Sequence, residues 1–382
     1  MEKTDFEKLA HQFMRKAIAV QAGERVWVEY QGPEAEKLAL YCADAVRAGG
    51  GDPFLVDTGS ALLDHLLIPM NAAEIEALGQ QKLAQMKTMQ GYIRIVDDAD
   101  GARLTVPKDV MTLYRRAMRP MIDYRVNTTK WLVTDAPTAA FAQACGMDLP
   151  TFERFYLDVC LVDYEAMRVA AAPLQKRMAE ADRVHVLSPA QGTDLTLSIK
   201  GIGAKPCTGE NNIPDGECYS APVKDSIEGT ISFGPSVYEG ERFGSIRLRF
   251  ERGRIVDAVA DTDERTQKLN AFLDTDAGAR YVGEFSLNFN PYVLHPTGSI
   301  LFDEKICGGL HMAAGSSYDD VSNGNKSAIH WDMVHIQRPD YGGGEIWFDD
   351  LLIRKDGLFV VPDLLPLNPA NLKKTPTDSR SE

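Results

Sequence analysis

The sequence predicts an α/β N-terminal domain followed by a β-rich (α+β) C-terminal domain. Three observations predict it. A strand, a helix and a second strand follow one another near the start of the chain. Short alternating apolar runs dominate from Thr193 onward, and the candidate ligating residues all fall in that later half. At 382 residues the chain exceeds what one compact core usually spans, so two domains are expected, 1–190 and 191–382, each able to bury a substantial interior.

The elements follow in order. Phe6, Leu9, Phe13 and Ala17 recur at helical spacing behind the acidic Glu2, Asp5 and Glu7, which predicts an amphipathic helix and not a targeting peptide. Arg25 to Tyr30 reads as a strand, Pro33 to Ala48 as a helix, and Pro53 to Val56 as the next strand, a βαβ unit. Gly49-Gly50-Gly51 stands after that helix, where glycines stop a helix; it does not precede a helix N-terminus, where they would cradle a phosphate. Further strands are expected at Tyr92 to Val96, Trp131 to Thr134 and Val184 to Leu187, alternating with helical stretches such as Phe152 to Glu180. Beyond Thr193, Leu195 to Ile199, Ser245 to Phe250, Arg254 to Val259, Ile346 to Ile353 and Leu358 to Val361 read as strands, interrupted by a helix over Asp263 to Gly278. The polar tail from Asn368 is expected to be loosely held.

With 44% hydrophobic and 25% charged residues the composition is that of a folded globular protein. A net charge of −14 would repel phosphate backbones, so no nucleic-acid partner is expected. No apolar run reaches membrane-spanning length, so no membrane partner is expected either. Six cysteines lack C-x-x-C spacing, which fits buried thiols in a reducing cytoplasm and not a zinc ribbon or redox pair; Cys218 and Cys307 stand near candidate site residues.

Those site residues begin with His330-Trp331-Asp332. Alternate side chains of a strand share a face, so this triplet aims an imidazole and a carboxylate at one point, about 6 to 7 Å apart along the backbone. His311 and Tyr318 precede it, and Glu217 and Glu284 follow or adjoin glycines in Asp215-Gly216-Glu217 and Gly283-Glu284. Two imidazoles, three carboxylates and a phenol exceed what one tetrahedral zinc needs and suit two divalent ions sharing a carboxylate and a water. Such a pair favours hydrolysis, with Glu284 or Glu217 as the base and Tyr318 as ligand or oxyanion donor. Taken singly each signal has a plain structural competitor: an imidazole paired with a surface carboxylate, a solvated loop acid at Glu217, a salt bridge at Glu284, a rim aromatic at Tyr318. His335 has the wrong strand parity to join His330 and Asp332. His11, His65, His185 and His295 lack neighbours at ligand spacing.

The segments Asn212 to Glu217, Tyr281 to Phe285, Leu301 to Lys305, His311 with Tyr318, and Ser327 to Asp332 resemble, in order and approximate spacing, the signature of the M29 metallo-aminopeptidases, the aminopeptidase T group. The resemblance runs through nearly the whole chain. It implies an α/β domain before a β-rich catalytic domain, a homodimer, peptide substrates, and two divalent ions (zinc, cobalt or manganese) held by Glu217, Glu284, His311, Tyr318, His330 and Asp332. The segment Asp319 to Ile329 is shorter than in thermophilic members, which alters the substrate entrance. The same resemblance imports a rival, since 2,5-dihydroxypyridine dioxygenases share the fold and hold one Fe(II) with a His, His, Asp triad, here His311, His330 and Asp332. For an aminopeptidase, Asp215, Asp303, Glu304 or Asp319 would receive the free α-amine, and Met312, Trp331 and Phe285 are compatible with an apolar pocket or with core.

Overall fold

The computed structural model describes residues 1–97 and 105–373. The chain forms two compact units, Met1–Leu161 with Gly209–Ile213, and Val162–Thr208 with Pro214–Glu382. In the first, helix α1 (Lys3–Phe13) buries Phe6, Leu9 and Phe13 and runs on as a π-helical turn, Met14–Ile18. Strand β1 (Arg25–Tyr30), helix α2 (Gly32–Ala48) and strand β2 (Asp52–Asp57) are the expected βαβ unit. Helices α3 (Ser60–Leu67) and α4 (Ala72–Met86) lead to β3 (Gly91–Val96), and α5 (Lys108–Thr128) leads to β4 (Lys130–Asp135). All four strands are parallel, in the order β2-β1-β3-β4. Trp27, Met86, Met89, Tyr92, Met118 and Met121 form a buried cluster in this unit.

Local chemistry explains several boundaries. Asn71 caps α4 by accepting from the Ala73 and Glu74 N–H groups, while Glu74 accepts from the Asn71 N–H at 2.8 Å. That reciprocal cap contributes about 1 kcal/mol. Gly50, at φ 81°, ends the run after α2, so the three glycines stop a helix, as expected. The stretch read as one helix over Phe152 to Glu180 is two: after α6 (Ala139–Ala144) come α7 (Leu149–Cys160) and α8 (Tyr164–Glu180), because Asp163 caps a fresh start by accepting from the Glu165 and Ala166 N–H groups.

The division between units falls earlier than the boundary expected near residue 190. Helix α8 belongs to the second unit, where it packs on β7 (Lys205–Cys207) and β8 (Glu217–Ser220), and the Tyr164 hydroxyl accepts from the Asp215 N–H at 3.2 Å. Strand β5 (Arg183–Ser188) pairs antiparallel with β6 (Thr193–Ser198) and does not join the parallel sheet. Residues 209–213 return to the first unit because Asn211 and Ile213 bond the backbone of Val133 on β4.

Two antiparallel sheets build the second unit. The larger has the order β13-β12-β9-β6-β5-β17-β18-β19 and comprises, besides β5 and β6, β9 (Glu228–Phe233), β12 (Ile246–Glu251), β13 (Arg254–Ala260), β17 (Glu345–Phe348), β18 (Leu351–Lys355) and β19 (Leu358–Phe359). The run expected as one strand over Ile346 to Ile353 is thus the β17–β18 hairpin. The smaller sheet has the order β16-β15-β14-β8-β7, with β14 (Val282–Asn288), β15 (Gly309–Gly315) and β16 (His330–Ile336). A separate hairpin, β10 (Ser236–Tyr238) with β11 (Glu241–Phe243), helix α9 (Asp263–Leu273) and the short α10 (Ile300–Asp303) complete it. The tail expected from Asn368 includes a short helix, α11 (Pro369–Leu372); residues from 374 onward lie outside the described residues.

Register in the smaller sheet decides which side chains meet. Ala313 on β15 lies opposite Asp332, Gly315 opposite His330, and His311 opposite Ser286. Val282 pairs with Ala314, yet Glu284 pairs with Ala313, so the bulge absorbs Gly283 and brings Glu284 onto the face of His311, His330 and Asp332. Without that extra residue, strict alternation would turn Glu284 to the opposite face, where Met312 and Trp331 lie.

Candidate metal centre

Asn288 lies opposite Glu217, and Glu217 opposite Cys207, so the shared face continues across β8 to β7. Four adjacent strands therefore present Cys207, Glu217, Glu284 and His311, and a fifth adds His330 and Asp332. The Glu284 carboxylate stands at the middle. Its Oε1 is 3.2 Å from His311 Nε2 and its Oε2 is 3.3 Å from His330 Nε2. Glu217 Oε2 lies 3.5 Å from His311 Nε2, and Asp332 Oδ1 lies 3.4 Å from His330 Nε2. Four groups of possible ligand atoms result, and two of them adjoin, Glu217 with Glu284 and His311, and Glu284 with His330 and Asp332. Glu284 is common to both.

Each imidazole is oriented through its other nitrogen. His330 Nδ1 is 2.8 Å from the Ser316 carbonyl oxygen, which can only accept, so Nδ1 carries a proton and Nε2 is the nitrogen turned to the carboxylates. His311 Nδ1 likewise faces Asn288 Oδ1 at 3.0 Å and the Glu304 carbonyl at 3.1 Å. Buried acceptor-side support of this kind is how metal-binding imidazoles are held. His330 Nε2 and Asp332 Oδ1 are buried without a hydrogen-bond partner. Orphaned donors of this chemistry, nitrogen and carboxylate oxygen, fit a divalent cation.

Burial alone would push Glu284 up, but the hydrogen bond with His311 and the His330 imidazole beside it hold it below the ordinary carboxylate value. Asp332 is treated the same way: burial raises it, and the His330 imidazole beside it carries it well below. Burial lowers the two imidazoles, and the surrounding carboxylates, Glu217 and Glu284 for His311 and Asp332 and Glu284 for His330, more than reverse this. His311 is raised to about 10, and His330 well above its ordinary value. A field that favours positive charge on both imidazoles also favours a cation between them.

Sequence reasoning passed over a fully buried lysine as part of this centre. Lys305 Nζ lies 2.6 Å from Glu217 Oε1, 2.8 Å from Glu304 Oε1 and 3.5 Å from Asp215 Oδ1, with none of its side chain exposed. Burial lowers an ammonium, and these three carboxylates overcome that and hold Lys305 charged. Glu304 groups with His311 and Asp332 as a further possible donor, and burial pushes its carboxyl up to about 8. The sequence signal for both was present in Asp303-Glu304-Lys305, six to eight residues before His311, but not their direction.

The other candidates divide. Tyr318 has its ring 5.0 Å from that of His330 and 5.5 Å from Tyr219, and it is 48% exposed, so it flanks the centre from the solvent side. Asp303 accepts from Thr297 and Gly298 and serves the turn before α10; Asp319 pairs with exposed Lys326. Neither receives an amine in this arrangement. Met312, Phe285 and Trp331 are buried on the opposite face, Trp331 stacking on Tyr238 at 4.6 Å, so they are core and not pocket. Of the cysteines, Cys207 groups with Asp215 and Glu217, whereas Cys218 is turned to the core by its odd position beside Glu217. His335 is buried on the far face, bonded to the Ser232 carbonyl and the Ser188 hydroxyl.

Residues 2–343 match the family described as thermophilic metalloprotease (M29). The chain is 33% identical over 358 residues to aminopeptidase AmpS from Bacillus subtilis (strain 168), covering 83% of this chain and 85% of that protein. Its fold is similar to that of wild-type AmpT from Thermus thermophilus, with a TM-score of 0.77 at 21% identity over 94% of this chain and 100% of the other. It is also similar to that of 2,5-dihydroxypyridine dioxygenase from Pseudomonas putida KT2440, with a TM-score of 0.63 at 15% identity over 96% and 99%.

Proposed function

The chain belongs to the M29 metallopeptidase family, and on that premise we propose that it is a metal-dependent aminopeptidase that hydrolyses the N-terminal peptide bond of peptides at a dinuclear centre. The observation that carries this reading is the shared Glu284, whose two oxygens face different imidazoles. Glu217, Glu284 and His311 would hold one divalent ion, and Glu284, His330 and Asp332 the other, with Glu304 as a further donor and Tyr318 beside His330. When bound, zinc, cobalt or manganese supplies Lewis acidity toward the scissile carbonyl and toward water.

Carboxylates crowd the centre: Glu217, Glu284 and Asp332 face the two imidazoles, and Asp215, Glu217 and Glu304 surround the single Lys305 ammonium, a donor set suited to divalent cations. Glu217 has Oε1 committed to Lys305, so Glu284 is the carboxylate placed to take a proton from water and return it to the departing amine. The Tyr318 phenol donates toward the oxyanion.

The His311, His330 and Asp332 triad also converges, as a mononuclear iron reading requires. Glu284 nevertheless stands between both imidazoles, where that reading needs open positions, and this favours hydrolysis. The six cysteines form no disulfide, which supports a reducing, cytoplasmic setting, and among the described residues no helix is long and apolar enough to cross a membrane. The proposal includes a homodimer, as the resemblance to the family implies. Elemental analysis after aerobic and anaerobic purification, with a panel of aminoacyl and hydroxypyridine substrates, tests the whole: about two ions and peptide turnover are expected. A single oxygen-sensitive ferrous ion with ring cleavage would replace it.

A further inference from the structure

A third pocket continues the row of the two that share Glu284. Cys207, Asp215 and Glu217 bring a sulfur and two carboxylate oxygens within 4.8 Å of one another, next to the pocket of Glu217, Glu284 and His311, which in turn adjoins that of Glu284, His330 and Asp332. Glu217 joins the first two as Glu284 joins the last two. The first pocket already has a cation against it, because the Lys305 ammonium sits 2.6 Å from Glu217 and 3.5 Å from Asp215 and reaches Glu304 at 2.8 Å. A charge with no solvent exposure persists only when opposite charges surround it, and two of the surrounding carboxylates, Asp215 and Glu217, are those a third metal would use.

We propose that Lys305 is the tethered third cation of the centre: its ammonium closes the Cys207, Asp215, Glu217 pocket to metal, limits the number of bound ions, and keeps the Cys207 thiol off them. This rests on reading the centre as metal-binding. The consequence is selectivity. A pocket with one thiolate and two carboxylates would take a soft divalent ion such as zinc or cadmium, and an ion there would compete for Glu217 with its neighbour. The ammonium instead holds Glu217 Oε1, and leaves Oε2, which also accepts from the Ser286 hydroxyl at 3.2 Å, directed to His311. Lys305 is thus a positioning residue that acts through Glu217.

The test is cadmium binding to the full-length protein by equilibrium dialysis, with the ultraviolet thiolate-to-cadmium charge-transfer band as a second readout. Lys305→Ser is expected to bind one more cadmium ion per chain than the wild type and to gain the band; Lys305→Ser with Cys207→Ser is expected to lose both. The wild type and Cys207→Ser are expected to match each other in count and spectrum, a comparison that decides the matter even where Lys305→Ser does not fold. Equal counts in Lys305→Ser and wild type, or a wild-type ion and band that Cys207→Ser removes, would overturn the proposal. The wild-type count by itself tests the two-ion reading, and the difference between proteins tests Lys305.

Discussion

Gly283 lies so close to Ser316 that a Cβ on it would stand 2.3 Å from the Ser316 carbonyl oxygen. The same carbonyl belongs to the residue that fixes the His330 ring, so the bulge that turns Glu284 inward and the contact that orients His330 share one backbone segment. Gly283→Ala cannot keep both. Overpacking of this kind costs about 1 to 3 kcal/mol, and a displacement of about 1 Å at a reacting centre costs roughly a hundredfold in rate. The variant is expected to lose about that much turnover together with metal, read by kinetics and elemental analysis; wild-type values for both would mean the bulge does not set Glu284.

Glu284→Gln keeps the shape and removes the charge. Turnover of an aminoacyl chromogenic substrate should fall by about two orders of magnitude or more, the usual worth of a positioned general base, while circular dichroism stays native. Undiminished turnover would strip Glu284 of its role.

His330→Ala is expected to lower metal content as well as activity, because it deletes the nitrogen that faces both Glu284 and Asp332. Full occupancy in that protein would place His330 outside the ligand set.

Tyr318→Phe separates two roles for the phenol. As an oxyanion donor it should cost about a hundredfold in kcat with metal count unchanged. A fall in metal count instead would make the phenol a ligand.

His335 predicts a pH dependence of stability. Burial, with Arg354 nearby, lowers it from 6.5 to about 4 in spite of its bond to the Ser232 carbonyl. The folded state therefore binds fewer protons than the unfolded, and stability falls as pH drops from about 6.5 toward 4, by about 3 kcal/mol at most. Asp303 acts oppositely in an overlapping window: burial raises it from 3.8 to about 6, so its contribution is present at low pH and is lost as pH rises through about 6. Urea unfolding of wild type and His335→Gln between pH 4 and 7 should show the acid-side loss in the wild type only. A parallel loss in both would refute the assignment.

The βαβ start, the strand-rich second half and the side-chain parity of His330, Asp332 and His335 were legible because each depends on a local period or a helix stop. Glu217, Glu284, His311 and Tyr318 were legible as candidates through their motifs, and their convergence was not, because it requires the order β16-β15-β14-β8-β7. Helix α8 was placed on the wrong side of the boundary for a related reason: an apolar stripe states that a helix packs, not on which sheet.

By itself the sequence determined which residue types sit where along each strand, since alternation is a property of the backbone. Only the tertiary structure decided that Gly283 is absorbed in a bulge, so that Glu284 faces the imidazoles, and that Lys305 is buried among carboxylates from three other chain positions. Both depend on what lies across the sheet or beneath it: register is set by the partner strand, and the buried Lys305 charge by Asp215 and Glu217, remote in sequence, which with the adjacent Glu304 make its burial tolerable.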